Sequence, residues 1–194
     1  MSWRPPDQDA FVELGDDARL GEEVAARTER SQRLTRASEL ASWAGTLEDL
    51  AERRVEVVVV LEGGRAYRGA LVAVGLDHVA LRTPGGQLAL LRTSTLRAVR
   101  PEPSTPAPVA TGDRERSHGR RLADVLDRLA EGRERVVLGL RGVDDRLAGQ
   151  LLGMGADVVT LRVEAGTAGV VYLPLDAVGE VVLDRFGEVA EDGR

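Results

Sequence analysis

The sequence predicts a mainly β protein with N-terminal helices, in which two tandem five-stranded small barrels each follow a short helix. Three observations predict it. Short apolar, valine-rich runs follow one another closely between Gly-rich turns, a Pro-rich stretch divides the chain, and one motif returns at a fixed distance.

Residues 1–16 are polar, carry Pro5-Pro6 and several acids, and read as a mobile N-terminus. Residues 17–44 are rich in Ala, Arg, Glu and Leu and read as a helix. Its thin apolar stripe (Leu20, Val24, Leu34, Ala37, Ala41, Ala44) suits either a partly solvated helix leaning on the body or one that docks a protein partner or another subunit. Gly45 is expected to end that helix. Thr46 would cap a second, short one over 47–53, with Asp49 completing a near capping box. VEVVVVL at 55–61 is strand-like by its valines. After Gly63-Gly64 come RAYRGALVAV, a turn at Gly75-Leu76-Asp77, HVALRT, a turn at Pro84-Gly85-Gly86, QLALLR and TLRAVR. One helix and five strands thus fill residues 45–100, the first repeat.

Residues 101–119 hold PEPSTPAPVATGD and read as a semi-extended linker. The pattern then starts again over 120–183, and an acidic tail occupies 184–194. Gly69, Leu71, Gly75, Asp77, Val79, Leu81 and Arg82 recur as Gly149, Leu151, Gly155, Asp157, Val159, Leu161 and Arg162, every pair 80 positions apart. Leu91 and Val99 match Leu173 and Val181 at an offset of 82, which places a two-residue insertion in the 164–169 turn. This is a tandem duplication. Gly69 and Gly149 stand mid-strand, where glycine marks a bend or a close backbone approach. Gly75 and Gly155 supply turns, and Asp77 and Asp157 complete the repeated signature.

Composition narrows the classes. Of 194 residues 43% are hydrophobic and only 3% aromatic, so the core is built from Leu, Val and Ala. No apolar run approaches the roughly 18 residues of a membrane span, and the start has no secretory pattern, so a cytoplasmic protein with no membrane partner is expected. The absence of cysteine excludes disulfides, a thiolate nucleophile and a cysteine zinc site. The chain has no Lys, Asn or Ile, and all 26 basic residues are Arg, which points to a high-G+C bacterial genome.

Residues 47–101 resemble the Sm/LSm family. They carry a short helix, an Sm1-type run VVLEGGRAYRGALVAVGLDHVALR and an Sm2-type run LALLRTSTLRAVRP, whose spacing is similar to that of the bacterial Sm-like RNA chaperones, Hfq. The small barrels would then be Sm-like, a variety of SH3-like barrel. The resemblance implies subunits that associate strand to strand, as a pseudo-hexamer of three chains, as a dimer, or as a closed pair of repeats within one chain. It also implies RNA at the loops Gly75–His78 with Arg92–Thr95 and, in the second repeat, Gly155–Val158 with Pro174–Asp176. Sm uridine pockets use an Asn, and this chain has none.

The candidate RNA-binding residues are Arg65, Tyr67, Arg68, His78, Arg92 and Thr93, in a repeat whose net charge is +2 against −2 for the second. Arginine supplies phosphate forks, and Tyr67 and His78 are the available stacking faces. A surface on which those arginines pair with nearby acids is the competing reading. No phosphate loop, dinucleotide fingerprint or nucleophile elbow is present. His78 and His118 stand 40 residues apart, so neither catalysis, a metal nor a cofactor is expected. Asp144-Asp145 reads as an acidic hairpin turn. Two functions follow: a non-catalytic Sm-like protein that assembles through strand edges and binds RNA weakly, or an interaction scaffold without RNA.

Overall fold

The computed structural model describes residues 26–33, 35, 36, 39, 41–103, 119–163 and 169–183. The expected mobile N-terminus, the greater part of the Pro-rich linker with His118, the 164–168 turn and the acidic tail lie outside the described residues.

The described residues between 26 and 39 are helical and exposed (α1). Helix α2 (Trp43–Glu52) begins four residues before the expected start. The Ser42 side chain is its cap, accepting from the Gly45 amide at 2.9 Å, so Gly45 lies inside the helix and does not end one. Strands β1 (Glu56–Leu61), β2 (Ala66–Val74), β3 (His78–Arg82), β4 (Leu88–Arg92) and β5 (Leu96–Pro101) follow, with a 3-10 turn at Thr93–Thr95. The second series is α3 (Leu122–Glu131), β6 (Arg135–Leu140), β7 (Arg146–Met154), β8 (Val158–Val163), β9 (Gly169–Pro174), a 3-10 turn at Leu175–Ala177 and β10 (Val178–Leu183).

The duplication extends to backbone detail. Arg54 and Arg133 both take positive φ, 49° and 50°, where each helix gives way to its strand. The Gly75 amide bonds to the His78 carbonyl as Gly155 does to Val158, and Thr93 bonds to Asp77 as Leu175 does to Asp157. At Gly69 a Cβ would run into the Arg82 carbonyl, and at Gly149 into the carbonyl of Arg162. Each glycine therefore lets its long second strand close onto the third. The irregular register at Leu71/Ala73 recurs at Leu151/Gly153.

The expectation of two separate five-stranded barrels is overturned. All ten strands form one open antiparallel sheet in the order β5-β1-β2-β3-β4-β10-β6-β7-β8-β9. Both repeats keep their internal order, but the β4 edge of the first pairs with β10 of the second, Leu91 opposite Glu180 and Leu88 opposite Leu183. Unpaired strand edges are unfavourable, and two repeats on one chain cover two of them by joining. The cores follow the join. Val182 packs into the cluster around Leu47, Val57, Leu71 and Leu81, while Ala80 and Leu90 belong to the cluster around Leu122, Leu126, Leu138 and Leu161. No helix among the described residues is long and apolar enough to cross a membrane.

Candidate functional site

Among the described residues, the β4–β10 seam joins buried and largely buried charged side chains from both repeats. Strand β10 reads VGEVVL, and its one acid, Glu180, is 1% exposed. Gly139 on β6 leaves the room, since a Cβ there would meet the Glu180 side chain. Such a buried carboxylate needs cations, and one comes from each repeat. Arg65, on the β1–β2 hairpin, places Nε 3.5 Å from Oε1, and Arg146, opening β7, donates from Nε at 3.2 Å. Glu180 Oε2 is buried with no hydrogen-bond partner among the described residues.

Arg65 also donates to the Leu140 carbonyl at 3.0 Å and to Asp144 in the β6–β7 turn at 3.2 Å. Arg146 donates to the Tyr67 hydroxyl at 2.8 Å, with its guanidinium carbon 5.7 Å from the centre of that ring. Burial first, and then the Glu180 charge, pushes the Tyr67 hydroxyl well above its ordinary value, so the phenol stays neutral.

A second cluster lies at the same end of the seam, just beyond the Leu91–Glu180 pair. Arg92, ending β4, donates to the Val178 carbonyl at 2.8 Å and to the Leu175 carbonyl at 2.9 Å, and lies 3.5 Å from Asp77. Burial lowers its guanidinium from the ordinary value, and the neighbouring Asp77 carboxylate opposes that shift. Asp77 Oδ1 accepts the Leu122 amide at 2.7 Å, so a residue of the first repeat holds the N-terminus of α3. The Leu76 amide donates to the Arg120 carbonyl at 3.0 Å. Glu62, Arg97 and Arg141 tie the rim, with Glu62 accepting from both arginines, at 2.8 Å and 3.1 Å.

The candidate residues thus fall into two groups. Arg92, Thr93 and His78 gather around Asp77, and Arg65 and Tyr67 around Glu180 and Arg146. Arg68 stands apart, exposed and paired with Glu102 at 3.0 Å. His78 is buried, with Nδ1 3.3 Å from Asp77. Asp144 does lie in a hairpin turn. Glu180 and Arg146 were missed by the sequence reasoning, although a single acid within a valine strand was a visible signal. Among the described residues no three acidic or histidine side chains gather as a metal site would require.

The seam has an unpaired counterpart. By the offset of 82, β9 is the copy of β4 and β5 is the copy of β10, and these two strands are the free ends of the sheet. Leu90, at the seam, is 3% exposed, while its copy Tyr172 is 70% exposed; Val170, the copy of half-buried Leu88, is exposed as well. No protein-family model matches this chain, and no curated protein matches it.

Proposed function

We propose that this is a non-catalytic protein that associates with copies of itself through its sheet edges and serves as an interaction scaffold. The observation that carries the reading is the β4–β10 seam. The chain already joins one edge of this type to the other, and it leaves the second pair, β9 and β5, open with Val170 and Tyr172 exposed. Pairing β9 of one copy with β5 of the next repeats the internal join head to tail. Such a contact closes into a ring, three chains making a pseudo-hexamer, when the rotation permits. The Sm/LSm resemblance supports the same mode of association.

Weak RNA binding by the first repeat draws on residues that the seam already uses. Arg65 donates to Asp144 and the Leu140 carbonyl and has its Nε buried 3.5 Å from Glu180, and Arg92 donates to the Val178 and Leu175 carbonyls. Tyr67 is engaged by Arg146, and His78 is buried. Phosphate contacts need free cations and stacking needs open rings, which weighs toward the scaffold.

Light scattering over a range of protein concentrations, with the ultraviolet absorbance ratio of the same fractions, tests the reading. Particles of two or more chains, free of nucleic acid and reduced to single chains by Tyr172→Lys, are the expected result. A single chain at every concentration would overturn it. Assembled particles that carry salt-removable nucleic acid would return the RNA reading to first place.

A further inference from the structure

The seam is held by more than strands, because helix α3 clasps the turn before β3. Leu122 buries its whole side chain (0% exposed) and gives its amide to Asp77, while the Leu76 amide reaches back to Arg120. Helix α2 is the copy of α3 at an offset of 79, aligning LEDLAE with LDRLAE, and the offset of 80 carries Gly75-Leu76-Asp77 onto Gly155-Ala156-Asp157. Trp43 therefore stands where Leu122 stands, and Ala41 where Arg120 does. In these copies the surfaces are bare. Trp43 is 45% exposed, and Gly155, Ala156 and Asp157 are all exposed, whereas Gly75 is buried. Three of the four large hydrophobic side chains exposed among the described residues, Trp43, Val170 and Tyr172, thus occupy copies of seam positions.

We infer that Trp43 of one copy docks on the Gly155–Asp157 turn of another, with Asp157 accepting the Trp43 amide and Ala156 donating to the Ala41 carbonyl. This clasp rests on the proposed edge-to-edge association and names its second contact, a helix against a turn beside the β9–β5 pairing. The occupant is a second copy of this chain, because the matching pair of surfaces already meets within each chain. A tryptophan in place of a leucine gives the intermolecular version a larger apolar anchor. It needs one, since the two surfaces of the internal clasp belong to one chain while those of its copy belong to two.

The test uses the full chain carrying Trp3→Phe, which leaves Trp43 as the sole tryptophan. Iodide quenching and emission wavelength are read across concentrations, alongside the mass by sedimentation. The expected result is that Trp43 emission shifts to the blue and quenching falls as the mass rises, and that Tyr172→Lys abolishes all three changes. Asp157→Ala is expected to weaken association about tenfold, the loss of one hydrogen bond to a charged group. A mass that rises while Trp43 stays as open to iodide as in the Tyr172→Lys variant overturns the clasp and leaves the edge pairing standing. A mass that never rises overturns both.

Discussion

Arg65 of the first repeat faces Glu180 of the second, Nε to Oε1 at 3.5 Å, and the carboxylate they share with Arg146 is shut off from solvent. The two residues stand on different repeats, so the pair exists only while the seam is closed. A buried charge with its partner removed is strongly unfavourable. Glu180→Ala is therefore expected to lower stability by about 1–3 kcal/mol, since the largely buried Arg65 then keeps only the exposed Asp144 and the Leu140 carbonyl as partners. In a double-mutant cycle by urea unfolding, Glu180→Ala and Arg65→Ala should combine to clearly less than their sum. Simple additivity would show that the pair contributes nothing to the seam.

Tyr67 gives the seam an alkaline limit. Its hydroxyl is held above the ordinary value, by burial first and by Glu180 second. A folded-state value above the unfolded one means that the unfolded chain loses its proton first. Stability is then complete below about pH 10 and falls as pH rises beyond it. Tyr67→Phe forfeits the Arg146 hydrogen bond and starts lower, but its stability should decline less steeply above about pH 10. Equal slopes for the two proteins in denaturant titrations would remove Tyr67 from the account.

The repeat signature makes a symmetric prediction. Alanine at Gly69 or Gly149 drives a Cβ into a backbone carbonyl, which cannot move aside as a side-chain tip could. Each substitution should cost about 2–3 kcal/mol by thermal or urea unfolding, in the range of overpacked sites. A loss at only one position would show that the two copies bend their strands for different reasons.

Leu122 anchors α3 on both the second core and the Asp77 turn. Leu122→Ala is expected to cost about 3–4 kcal/mol, as for other fully buried leucines. Trp43→Ala, at the half-open copy of that position, should cost the isolated chain far less. Comparable losses in dilute solution would mean that Trp43 is already a core residue.

Much of this fold was legible in the sequence, and the missing part has a specific physical cause. The glycines at fixed spacing gave the duplication, and the valine runs and Gly-rich turns gave the five strands of the first repeat, with five more expected in the second. Period and spacing describe how each repeat pairs within itself. They do not say what an edge strand does when a second copy of its partner is tethered nearby. LALLR on β4 and VGEVVL on β10 are each plausible as ordinary barrel strands, so separate closure was the natural expectation. The candidate site failed in a related way. Arg65 and Arg92 were chosen for their charge and loop position, and both are consumed, chiefly by partners far along the chain: Arg65 by Asp144, Glu180 and the Leu140 carbonyl of the second repeat, and Arg92 by the Val178 and Leu175 carbonyls of that repeat together with Asp77 of its own. Glu180, the group that orders this chemistry, was passed over because its neighbours are all apolar or glycine. The start of α2 moved to Trp43 because Ser42 was the stronger cap.

Amide hydrogen exchange on β9 and β5, compared between dilute and concentrated protein, reads the edge pairing itself. In the dilute chain the outward amides of 169–173 and 96–100 belong to free edges and should exchange quickly, while β4 and β10 are protected. In concentrated solution β9 and β5 are expected to gain protection together, and Tyr172→Lys to remove it from both. Edges that exchange equally fast at every concentration, in a protein that remains a single chain, would contradict it.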